Sequence, residues 1–128
     1  ATAAWTNKSS GNMSSPVVID NYVYMHLGNT RVECIDLKSG RSTWRSERRF
    51  GKYWSMVWRD DQILALDSDG VLFLMAANPE RFELRSERII AEQETWGHLA
   101  VSGNDLFVRE LEAIAAWRWL DDGSTAAD

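Results

Sequence analysis

The chain has 128 residues, 45% of them apolar, and a formal net charge of −5, which suits one domain with a real core. The acidic balance argues against a nucleic-acid or anionic-membrane partner, which needs a clustered basic face. The longest clean apolar run, Val71–Ala77, is too short for a membrane-spanning helix, and the lone Cys34 excludes an internal disulfide framework.

The chain starts at Ala1 with no leader visible, so a processed product or an excised piece is expected. Residues 1–8, "ATAAWTNK", read as a strand, because Ala3-Ala4-Trp5 aligns with the later Ser42-Thr43-Trp44. A first unit covers 14–47. In it "VVIDNYVY" predicts two strands around an Asp20-Asn21 corner, Gly28-Asn29 a turn, and Arg31–Asp36 a third strand. "DLKSG" is the next turn and "RSTWRSE" the fourth strand.

A second unit, 55–88, repeats this order forty residues on. "VWRDDQIL" holds the Asp60-Asp61 corner, Asp67-Ser68-Asp69-Gly70 the turn, Val71–Ala76 the third strand, and "RFELRSE" the fourth. The tetrapeptide Arg-Ser-Glu-Arg then stands at 45–48 and 85–88 and reads as a register mark for strand four. Its alternating charges suit a solvated edge that resists aggregation. A third unit, 98–120, carries "AVSGNDLF" around Gly103-Asn104 and continues through Ala113–Trp119. "ELEAIAAWRWL" has helical propensity, but the repeat register makes it a strand. The turn Leu120–Gly123 ends this unit without a fourth strand, and 124–128 reads as a frayed tail.

Four short antiparallel strands recurring every ~40 residues is the spacing of β-propeller blades. The expected fold class is therefore all-β, with three blades over 1–123 and one blade split between the termini. Three blades are fewer than the ~4–8 that usually close a ring. Completion is expected either by head-to-tail pairing of two chains, giving six blades, or by missing blades of a longer chain.

The stretch "SSPVVIDNYVYMHLGNTRVECIDLKSGRSTW" is similar to the pyrroloquinoline-quinone-like propeller repeat of quinoprotein-type proteins. Pro16-Val17-Val18, Val23-Tyr24, Ile35-Asp36-Leu37, Ser39-Gly40 and Trp44 supply its pattern, and the later units are degenerate. Met56 and Leu99 stand where Pro16 does, and Leu84 is aligned with Trp44. "GKYWSM", "ANPERFEL" and "ETWGHLAVSGNDLFVRELEAIAAWRW" resemble C-terminal blades of bacterial members. The resemblance implies a location in the bacterial envelope or outside the cell. It speaks to fold more than to activity, since one fold hosts many functions.

The family's dehydrogenases hold a quinone with Ca²⁺ above the channel, and their cues include a Cys-Cys pair that a chain with one Cys cannot form. Asp67-Ser68-Asp69-Gly70 is the only dense acidic cluster with a Gly, and it reads as a turn, because Ca²⁺ asks for about 6–8 oxygen ligands. His26, His98 and Cys34 have no zinc spacing, and His26 reads as a packed strand residue. Ser14-Ser15 with His98 has no nucleophile–base spacing, and no catalytic motif is present.

The corners before each unit's first strand, Met13–Ser15, Tyr53–Ser55 and Trp96–His98, should share one channel mouth. Ser15, Trp54, Ser55, Trp96, His98 and Arg109 are the candidate binding residues there, weighed against wedging of Trp54 and Trp96 between blades. Trp5, Trp44, Trp117 and Trp119 are assigned to interblade packing; Trp58 is left open. The expected function is a non-catalytic scaffold for a protein or small-molecule ligand, without cofactor or metal. The alternative is a C-terminal fragment of a pyrroloquinoline-quinone-dependent dehydrogenase that uses the quinone with calcium.

Overall fold

Apolar residues at every second position, broken by Asp, Asn and Gly, give strands with one face for a core and corners that reverse them. The computed structural model describes residues 1–119 and 125–126. Sheet one runs β1 (Val17–Ile19), β2 (Tyr22–His26), β3 (Val32–Asp36) and β4 (Ser42–Arg45) in chain order. Sheet two repeats this with β5 (Trp54–Arg59), β6 (Gln62–Asp67), β7 (Val71–Ala76) and β8 (Leu84–Ile89). Sheet three holds β9 (Ala100–Ser102), β10 (Asp105–Arg109) and β11 (Ile114–Trp119), edged by the two-residue β12 (Thr125–Ala126). All pairings are antiparallel, and no helix occurs among the described residues.

The first corner of each sheet falls where the repeat placed it. Asp20, Asp60 and Gly103 all take a left-handed backbone, with φ of 55°, 53° and 58°. Tight hairpins require that conformation, and Asp and Gly tolerate it best. The Ala-rich segment forms β11, so tertiary register overrides local helix propensity there.

Three expectations need correction. Residues 1–16 carry no strand, so the fourth strand expected at 1–8 is not formed within the chain. Part of the tail expected at 124–128 is β12, which pairs Arg118 with Ala126 and Trp119 with Thr125. The turn expected at Leu120–Gly123 lies outside the described residues.

The third correction concerns strand four. Five residues separate β3 from β4 and seven separate β7 from β8. Cys34 faces Trp44 across its pair, while its counterpart Leu74 faces Ser86. Both ladders slip at the same place, between Cys34 and Ile35 and between Leu74 and Met75. The residue equivalent to Trp44 is therefore Ser86 rather than Leu84, and the two Arg-Ser-Glu-Arg copies stand two residues out of structural register. They meet all the same: Arg48 of the first copy is ion-paired with Glu87 of the second. The Arg48 guanidinium also lies over the Phe50 and Phe73 rings.

Sheets one and two enclose an aromatic core. Phe50 meets Trp54, Phe73 and Phe82 edge-on at centroid distances of 5.0, 4.9 and 5.9 Å. Tyr24, Val32, Cys34 and Ile63 close it. Sheets two and three share a smaller aliphatic core of Leu66, Ile90, Leu99, Leu106 and Val108, with Trp117 and Trp119 packed against it.

The N-terminal segment crosses the outer side of sheet one. Trp5 donates its indole N–H to the Leu37 carbonyl at 2.7 Å, and Asn7 donates to Gly40 at 2.7 Å. Further on, the Gly28 N–H binds the Ser10 carbonyl at 2.8 Å, and Asn12 reaches Lys52. Gly40 is obligatory under this strap: its φ is +72°, and a Cβ there would stand 2.5 Å from the Trp5 ring.

Candidate functional site

Contacts at or beside the three corners link them in series. Asn12, just before the first corner, donates to the Lys52 carbonyl just before the second. Tyr53 of the second packs on Trp96 of the third at 5.3 Å. Gly97 lies against the Arg109 side chain at the end of β10, with only 3.5 Å between a notional Cβ and the Arg109 Cβ.

The candidate residues divide into an exposed set and a buried set. Ser15, Trp96, His98 and Arg109 are exposed. The Trp96 ring is held by Tyr53 and by a 2.8 Å bond from its N–H to Glu94. Trp54, 4% exposed, is sandwiched between His26 and Phe73, with no face left for a ligand. Ser55 is buried, and its hydroxyl accepts the Leu99 N–H at 3.2 Å, tying sheet two to the start of sheet three.

Two titratable groups are buried as well. His26 stacks on Trp54 with ring centroids 5.1 Å apart and planes nearly parallel, and neither ring nitrogen makes a hydrogen bond. Burial lowers its pKa, only partly offset by the nearby Gly51 backbone. Asp67 accepts the N–H groups of Gly51 (2.9 Å), Asp69 (3.0 Å) and Val71 (3.2 Å). Its pKa is raised by burial, against the bonds from Gly51 and Val71. The Asp67–Gly70 cluster thus spends its buried carboxylate on its own turn and on Gly51. Among the described residues no three His, Cys, Asp or Glu side chains converge to hold a metal ion.

Glu33, fully buried under the strap, receives Arg45 at 2.9 Å. Burial alone would raise this carboxyl, yet hydrogen bonds from Ser9, Arg45 and Ser42 hold it below the usual carboxylate range.

The repeat gave no hint of a second concavity, a cleft of about 710 Å³ between sheets two and three. The two-residue difference before β8 hides from the sequence that Ser86, not Leu84, stands in this cleft where Trp44 stands in sheet one.

No protein-family model matches the chain, and no curated protein matches it. Solved structures do. BamB from Moraxella catarrhalis superimposes with a TM-score of 0.63 at 15% identity, over 79% of this chain and 30% of that one. The computationally designed Ika8 protein gives 0.62 at 14%, over 88% and 34%. The N-terminal domain of Nup159 gives 0.50 at 12%, over 89% and 29%. With these neighbours the three antiparallel sheets define a β-propeller fold. The chain spans about a third of the length of these three proteins.

Proposed function

We propose that the chain is a non-catalytic β-propeller module, each sheet a blade, and a scaffold that binds a protein or small molecule at the rim of Ser15, Trp96, His98 and Arg109. In this reading its ring is completed head to tail by a second copy. The observation that carries the proposal is the repeated indole contact. Trp44 of blade one donates to Asn78 of blade two at 2.7 Å, and Trp5 makes the same bond to Leu37 of blade one at 2.7 Å. The outer side of blade one is therefore built like the face of an interior blade, ready for a neighbour.

Apolar residues at both ends of the chain fit that reading. Strand alternation turns Val18 away from the shared core on sheet one, and Ile114 away from it on sheet three; they are 44% and 73% exposed. A neighbour on each side would cover them.

The experiment is cross-linking of Val18→Cys and Ile114→Cys in a mixture of the two single variants. A reducible covalent dimer of the two species supports head-to-tail closure; only monomers under oxidising conditions would contradict it.

A further inference from the structure

The cleft between blades two and three is a site with a missing side chain. The row across blade one that faces blade two is Val17, Tyr24, Cys34 and Trp44. Tyr24 is 2% exposed and Cys34 fully buried, and the Trp44 indole packs against Phe82 at 5.7 Å. The same row in blade two, facing blade three, is Val57, Leu64, Leu74 and Ser86. Two large aromatic side chains are thus replaced by Leu and Ser. The backbone scaffold of the wedge is the same, but its filling is absent, and Leu64, Leu74 and Val57 are left only partly covered.

The far wall is Val101 and Trp119 of blade three. Two guanidinium groups line the cleft from opposite ends of sheet two, Arg59 opposite Gln62 and Arg88 opposite Leu72. Arg59 is 93% exposed and only loosely paired with the equally exposed Asp60 at 3.9 Å; Arg88 lies over the Trp117 ring at 5.5 Å. The rim carboxylate Glu87 is engaged by Arg48 on the opposite face. A volume of about 710 Å³ falls within the ~300–1,000 Å³ of small-molecule sites, and its apolar floor with a few polar groups around it is their usual composition.

We infer that this cleft binds a flat aromatic acid of about two fused rings, its rings in the place of the missing indole and its anionic group at Arg59. The apolar floor supplies the affinity and the Arg59 guanidinium selects the charge. The site lies between blades, apart from the rim proposed above, so either can fail without the other.

The test uses the full chain and the probe 1-anilinonaphthalene-8-sulfonate, followed by probe fluorescence and by quenching of Trp emission. The expected result is saturable binding at one site with micromolar Kd. Ser86→Trp, which restores the indole of blade one, should weaken binding at least tenfold while leaving the melting temperature equal or higher. Arg59→Gln should weaken it several-fold, and the uncharged N-phenyl-1-naphthylamine should bind less tightly than the sulfonate. Should Ser86→Trp fail to fold, Leu64→Phe, which narrows the floor, replaces it with the same expected loss. Unchanged affinity in a folded cleft-filling variant, or equal binding of the uncharged probe, would overturn the inference.

Discussion

Trp5 stands against Leu37 as Trp44 stands against Asn78, each indole N–H on a backbone carbonyl 2.7 Å away. The two donors come from different parts of the fold, one from an irregular strap and one from β4. The contact therefore does not depend on the donor lying in a strand.

Trp44→Ala should cost about 2–4 kcal/mol, below the fully buried range because the side chain is only half-buried. Trp5→Ala should cost less, about 1–2 kcal/mol, since it holds a strap rather than a core. Urea denaturation followed by far-ultraviolet circular dichroism measures both. Equal losses would remove the distinction between core and strap.

Acid should loosen the contact between blades one and two before any carboxylate acts. The His26 pKa lies below its ordinary value because of burial, so the unfolded chain takes up the proton first. Stability is then lost as pH falls through about 6.5, the unfolded value. Glu33, held low, contributes a further loss only as pH falls through the ordinary carboxylate range, and Asp67, held high, opposes that loss. Thermal melts from pH 7.5 to 5.5 should show a falling midpoint, flattened in His26→Phe. A midpoint equally pH-dependent in that variant would place the sensitivity elsewhere.

Two glycines with similar backbones should answer Ala very differently. Gly70 has φ +80°, and its Cβ would stand 2.3 Å from the Ala91 carbonyl oxygen; Gly103 has φ +58° and open space around it. Gly70→Ala should cost about 2–4 kcal/mol and Gly103→Ala about 1 kcal/mol, the latter from backbone strain alone. Chemical denaturation of both variants checks the order.

What the sequence made legible was local chemistry. Asp20, Asp60 and Gly103 announced their corners because few residues accept the conformation those corners need. Strand two of each unit could be read from alternation, and β11 was recovered only through the repeat. The strand-four register was misread because Arg-Ser-Glu-Arg recurs at an offset of forty while the strands carrying it recur at forty-two. A loop two residues longer cannot be seen when a chance identity follows it. Two of the six candidate residues, Trp54 and Ser55, share a corner with exposed residues but are buried on opposite faces, Trp54 against His26 and Ser55 against Leu99. Neighbouring positions in sequence do not fix which face a side chain takes until the partner sheet is known.

Disrupting the outward apolar residues should act on assembly and leave the fold intact. Ile114→Asp places a charge on a residue 73% exposed in the single chain, so its circular dichroism spectrum and melting cooperativity should match the parent chain. Its assembly should fall apart at concentrations where the parent remains joined. A variant that unfolds would show that Ile114 belongs to the interior of its own blade.

The most direct measurement is the mass in solution, by sedimentation equilibrium at micromolar concentration. Head-to-tail closure requires about twice the 14.6 kDa of one chain, reduced to a single chain by Ile114→Asp. A particle of 14.6 kDa at every concentration would contradict closure by a second copy.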